Sequence, residues 1–207
     1  MKKLFFIAMI SIVGLHSANA QQTSGFEIGG NVGVSFASLT AVDGNNSTDN
    51  VTTFNFAATG EYYFSDRWGL KAKLILDNKG WGNGFISDEF GNVTITDFSL
   101  SYLTIPVMAN WHFGSTRKWY LNFGLYAGFL LSGEADTNGM DVSDAIQSVD
   151  IGLAFGIGYK FPIAENTFLF VEFDGQGGFT DVFENNLGDK VINGRSSFNI
   201  GVLFPLN

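Results

Sequence analysis

From Leu103 to Phe113 every second residue is apolar (Leu103, Ile105, Val107, Ala109, Trp111, Phe113), and from Trp119 to Leu131 the same holds (Trp119, Leu121, Phe123, Leu125, Ala127, Phe129, Leu131). A period of two belongs to a strand. The polar stretch Gly114 to Lys118 between the runs lets them fold back as an antiparallel hairpin, and pairing Phe113 with Trp119 puts both apolar sets on one face. The opposite face carries Thr104, Asn110, His112, Tyr120, Asn122, Gly124, Tyr126 and Gly128, which is no core. Such a hairpin suits lipid outside and a small polar lumen inside.

Residues 1–20 read as a cleaved signal peptide: Lys2 and Lys3 start it, Leu4 to Leu15 form its apolar stretch, and Ala18-Asn19-Ala20 is a small-residue cleavage site. That apolar stretch is shorter than the roughly 20 residues a membrane helix needs. Residues 21–207 then form one outer-membrane β-barrel domain. No later apolar run suits a spanning helix, so a mature chain that enters lipid does so as a closed barrel, the other fold that satisfies its backbone internally.

The alternation recurs along the mature chain. Strands are predicted at about Phe26 to Phe36, Phe54 to Phe64 and Trp68 to Leu76, then the central pair, then about Val149 to Phe161, Leu169 to Gln176 and Phe198 to Phe204. Pairing Phe64 with Trp68 aligns Tyr62 with Leu70 on the apolar face and Glu61 with Lys71 on the other. No Asp, Glu, Lys or Arg takes an outward position. Aromatic residues gather at strand ends beside short turns, and short turns alternate with long connections near 37–53, 77–97, 132–148 and 179–196. The predicted class is all-β: an eight-stranded antiparallel up-and-down transmembrane β-barrel in the cell outer membrane, with short turns on the periplasmic side. Pro106, inside a strand and lacking a donor, predicts a bulge or kink.

The segments Tyr102-Leu103-Thr104-Ile105-Pro106, Gly124-Leu125-Tyr126-Ala127-Gly128, Asp150 to Tyr159 and Gly178-Phe179-Thr180-Asp181-Val182 resemble PorT-like outer-membrane β-barrel proteins over nearly the whole mature chain. The resemblance implies a barrel, and a task in protein secretion or surface contact as one reading among others.

An eight-stranded barrel is about wide enough for side chains alone. The inner face supplies Glu61, Lys71, Lys73, Lys160 and Glu172, which predict a structural polar network across the lumen, joined by Asp77, Asp174, Tyr63, Tyr120 and Tyr126. Charges of both signs let the network pair internally. The long connections hold many acids, few bases and several apolar groups; Trp81 and Phe85 are the candidates for recognition of a partner, with a lid of mutually packed loops as the alternative.

Other chemistry has little support. Absent cysteine removes disulfides and thiolate sites. His112, the one histidine of the mature chain, lies beside a short turn and away from any nucleophile–carboxylate set, so no enzyme is expected. The oxygen-rich run Asp43 to Asp49 has a misplaced glycine and Phe54 where a calcium loop needs glutamate, so neither metal nor cofactor is expected. A formal net charge of -9, more negative once the two lysines of the leader are lost, argues against nucleic acid. The expected partners are outer-membrane lipid and a protein at the extracellular loops. The expected function is that of a plugged barrel acting through those loops as a structural or interaction protein. The alternative is transport or binding of a small apolar solute.

Overall fold

The computed structural model describes residues 25–41, 48–87, 91–137 and 139–206, so the signal-peptide assignment and residues 43 to 47 lie outside the described residues. The strands are β1 (Gly25–Ala41), β2 (Val51–Tyr63), β3 (Trp68–Ser87), β4 (Val93–Phe113), β5 (Trp119–Ala135), β6 (Met140–Asp141), β7 (Val149–Ala164), β8 (Thr167–Gly178) and β9 (Val191–Leu206). β6 is a two-residue strand folded back on the end of β5. The eight long strands follow one another around a ring, β4-β3-β2-β1-β9-β8-β7-β5, and the β4–β5 pairing closes it. Every pairing is antiparallel, and the seam between first and last strand runs from Phe26↔Leu206 to Ala41↔Val191. The central hairpin pairs Phe113 with Trp119, and β2–β3 pairs Tyr62 with Leu70 and Glu61 with Lys71.

Alternation sorts the two faces. Phe56, Leu70, Leu74, Phe123, Leu125, Leu153, Phe155, Phe198 and Ile200 point outward and are exposed, while their neighbours in sequence are buried or half-buried. At the turn end the outer face finishes in packed rings: Trp68 stacks on Trp111 with centroids 6.1 Å apart, Trp111 on Phe113 at 5.3 Å, and Trp119 meets Tyr159 edge-on at 4.9 Å. From Trp68 to Leu76, a tilted strand climbs roughly 20 Å, close to the height of an outer-membrane apolar band.

The strands run farther than the sequence reading placed them. β3 and β4 continue to Ser87 and from Val93, so most of the connection expected between Asn78 and Asp97 is strand. β9 likewise begins at Val191 within a segment read as loop. The physical reason is a change of phase. On β4 the outward residues Leu103, Ile105 and Val107 are apolar in the lipid band, but farther out the inward residues Phe98 and Leu100 are apolar and buried while Asp97 and Ser99 face out. The pattern of a lipid-facing strand becomes that of a water-facing one, although the backbone never leaves the ladder.

At Pro106 the bulge named as one expectation is absent. Its side chain points inward and the β4–β5 register is continuous through Pro106↔Tyr126; the irregularity lies instead between Ser101 and Tyr102. On the other side the β3–β4 ladder lacks pairs between Ala72↔Val107 and Ile75↔Thr104 but keeps its register across the gap. The missing N–H thus interrupts the ladder locally without inserting a residue.

Leu125, 58% exposed at mid-height on β5, tests the faces. Leu125→Arg is expected to cost about 2–4 kcal/mol of folding free energy in lipid, read from equilibrium unfolding of vesicle-inserted barrel, whereas Leu125→Val changes it by less than about 1.5 kcal/mol.

Candidate functional site

The interior contains a nearly continuous line of charged groups. Near the turn end, Lys160 Nζ lies 2.6 Å from Glu27 and 2.6 Å from Glu61. Glu61 is 3.0 Å from Lys71, and Lys71 is 2.6 Å from Glu172. Glu172 also holds Lys73, which reaches Asp174 at 3.2 Å. Arg195 then joins Asp174 and Asp77, each at 3.1 Å. Farther out, Lys79 and Asp150 pair at 2.8 Å.

The structure therefore brings Glu61, Lys71, Lys73, Lys160 and Glu172 together in one buried cluster. Neutral donors complete it: Asn110 donates to Glu61 at 3.0 Å, Asn122 to Glu172 at 2.9 Å, and Asn199 to Asp174 at 3.0 Å. Tyr126 donates to Asp150 at 3.1 Å. The Tyr63 hydroxyl, with one proton to donate, lies within hydrogen-bond reach of both Glu61 and Glu27.

Four strands separate β3 from β8 whichever way the ring is followed, counting the last step, so Lys71 and Lys73 reach across the full barrel to Glu172 and Asp174. Lys160 on β7 makes the same crossing to Glu61 on β2. Aromatic rings fill the space beside these bridges, with the Lys71 ammonium 4.6 Å from the Tyr120 ring centroid and Lys79 4.5 Å from that of Tyr126. Glycine makes room for the rings. A Cβ on Gly158 would sit 2.3 Å from the Tyr120 ring, and one on Gly152 2.7 Å from that of Tyr126. Between Lys73, Pro106, Met108, Glu172 and Gln176 a cavity of about 10 Å³ is left, at the lower limit for one water.

Sequence reasoning left Arg195 and Lys79 out of the interior because it assigned their segments to loops. The usable signal was the parity of Asn193, Arg195, Ser197 and Asn199 on β9, and of Asp77, Lys79 and Trp81 on β3.

Above the charges the barrel mouth is closed by an apolar cluster of Leu39, Trp81, Phe98, Leu100, Tyr102, Ala135, Ile146 and Val182. Trp81, only 6% exposed, stacks on Phe98 at 4.4 Å and meets Phe183 edge-on at 5.8 Å. It belongs to this closure and presents no outer surface. Phe85, by contrast, is 73% exposed, so the two recognition candidates part company. The bulge between Trp81 and Gly84 separates them: Asn83 takes φ 52°, donates its N–H to Asp97 at 2.9 Å, and turns the strand before Phe85. At the opposite rim His112 Nδ1 donates to the Arg117 carbonyl at 2.9 Å, a structural bond that holds the short turn.

Two substitutions separate network and surface pairs. Glu61→Gln takes one of two carboxylates from both Lys71 and Lys160, leaving a buried excess of positive charge, and is expected to cost about 3–5 kcal/mol in urea unfolding, whereas Asp66→Asn, at the exposed pair with Arg117, costs at most about 1 kcal/mol. The same assay separates the aromatic pair: Trp81→Ala loses about 3–5 kcal/mol and Phe85→Ser stays within about 0.5 kcal/mol.

Comparison with known proteins follows this geometry. The family described as outer membrane protein beta-barrel domain matches residues 19–184. Among solved structures, the outer membrane protein OprG from Pseudomonas aeruginosa aligns at 14% identity over 89% of this chain and 96% of its own, with a TM-score of 0.53. Neisserial surface protein A aligns at 18% identity over 86% and 96%, with a TM-score of 0.49. Ail, the attachment invasion locus protein of Yersinia pestis, aligns at 16% identity over 86% and 98%, with a TM-score of 0.45. At such identity the likeness to OprG is one of fold alone. No curated protein matches the chain.

Proposed function

Since this chain belongs to the outer membrane protein beta-barrel domain family, and so resides in the cell outer membrane, we propose that it is a closed barrel acting through its extracellular end as a structural or interaction protein. The observation that carries this reading is the filled interior. Paired charges bridge opposite walls, rings occupy the space between them, and apolar side chains seal the mouth. An ion entering this lumen has to displace buried pairs, each of which is costly to break. An apolar solute meets charge over most of the axis.

The PorT-like resemblance belongs to this proposal, and with it a role in protein secretion or surface contact. So does the removal of residues 1–20, which leaves 21–207 as the mature barrel. No catalytic role is assigned to any residue. The rival reading, passage or holding of a small apolar solute, needs a route through the Trp81–Phe98 closure or the wall. Purified barrel in a planar bilayer decides between them: the expected trace has no steady conductance at any moderate voltage, and defined openings would favour the transport reading.

A further inference from the structure

The outer part of the β3–β4 hairpin breaks the pattern set where β4 leaves the lipid band. Once β4 has left the lipid band its outward side chains become polar, at Ser101, Ser99 and Asp97. Beyond Asp97 they turn apolar again. Ile95 is 68% exposed, Val93 64%, and Phe85, paired with Ile95 across the hairpin, 73%. Ile95 lies about 25 Å farther along the strand than Leu103, the outward apolar residue nearest the band's edge, and the polar residues between separate it from the hydrocarbon. Adjacent exposed apolar side chains on a rigid hairpin in water cost solubility unless something covers them.

Among the described residues, the outer part of the hairpin is little paired on its β2 side. On the β2 side the ladder ends at Asn55↔Asp77, and an isolated bridge, Asp49↔Gly82, is the described pairing beyond it. The Asn83 bulge holds the hairpin's root in place, with the Asn83 side chain donating to Asp49 and its backbone N–H to Asp97. Charge selects the partner. Asp49, Asp97 and Asp136 are exposed at the root of the hairpin, where the Asp136 N–H bonds to the Asp97 carbonyl. Lys79 on β3 and Arg195 on β9 face inward and are ion-paired. Among the described residues, Lys190 is the lone base outside the lumen at this end. An anionic surface would be repelled here and a cationic one drawn in.

We propose that the outward face of the β3–β4 hairpin, formed by Phe85, Val93 and Ile95 above Asp49, Asp97 and Asp136, docks a cationic amphipathic polypeptide segment, whose apolar side chains cover the first set and whose lysines or arginines meet the second. This inference rests on the reading of the barrel as an interaction protein and names the chemistry of its partner. A barrel that conducts would sink that reading whatever its hairpin binds, whereas a closed barrel indifferent to such a segment sinks this inference alone.

The probe is a fluorescent peptide of leucine and lysine in amphipathic order, titrated onto the full mature barrel in nanodiscs of zwitterionic lipid and followed by anisotropy. Binding is expected to be saturable and weakened by salt. Combining Phe85→Ser with Ile95→Ser should weaken it by about tenfold or more, because each removes an apolar side chain from the contact. Asp136→Asn should weaken it severalfold with a smaller salt response. Heat-modified gel mobility shows that the variants are assembled, and Val93→Ser alone, expected to weaken binding severalfold, replaces the double variant if that fails to assemble. Unchanged affinity in the serine variants would overturn the proposal. So would equal binding of a leucine–glutamate peptide, or equal binding to nanodiscs without barrel, which would assign the probe to lipid. Sedimentation of the wild-type barrel as a dimer that the double serine variant abolishes would assign the face to a second copy and overturn it as well.

Discussion

In hydrocarbon no water is present to satisfy a peptide group, and every other feature of this barrel depends on that constraint. A sheet meets it only by closing, here through the β1–β9 seam and the β4–β5 pairing. Closure in turn fixes which side chains are enclosed, because successive residues on a strand face opposite ways. With eight strands the enclosed volume is too narrow for a water column, so whatever faces inward packs against other protein atoms. The lumen of this chain is polar, and its polar groups therefore have mainly each other as partners. Glu61 held by Lys160 and Lys71, and Glu172 held by Lys71 and Lys73, are the outcome.

Such a network is no obvious source of stability, since desolvating the charges offsets much of their attraction. Its physical effect is on register. A one-residue slip of β2, β3, β7 or β8 would put lysine or glutamate against lipid and leucine or phenylalanine among unpaired charges, so the polar interior penalises wrong pairings that an apolar interior would tolerate. The continuous registers on either side of Pro106, where the ladder lacks bonds, are consistent with side chains holding alignment in place of the backbone.

Much of this was legible in the sequence, and the parts that were not share a cause. The hairpins from Phe113 to Trp119 and from Tyr62 to Leu70 could be read because lipid outside and charge inside give alternation its strongest contrast. Glu61 and Lys71 follow from the same register. Where strands leave the bilayer, contrast fades and then inverts: Phe98 and Leu100 are apolar on the opposite parity from Leu103 and Ile105. A reading based on one phase stops there and assigns the remainder to loops, which is why Lys79 and Arg195 were absent from the expected interior and why Trp81 could be read either as a surface anchor or as part of a lid. The bulge at Trp81/Gly84 shifts the phase once more, and nothing short of the backbone hydrogen bonds shows that Phe85, of the same parity as Trp81, faces out. Conversely, the missing N–H of Pro106 suggested a bulge that neither neighbouring register contains.

The bridges that join β3 to β8 and β2 to β7 have a kinetic consequence. In a partly assembled, open sheet these strands lie at distant positions, and their lysines and carboxylates have no route to one another. No subset of the bridges can form early and lower the energy of an intermediate; they appear together when the seam shuts. Assembly is thus predisposed to a late, concerted step, and disassembly has to lose several buried pairs before solvent can compensate for any of them. Contacts made only in the closed barrel slow its unfolding to the extent that the transition state lacks them.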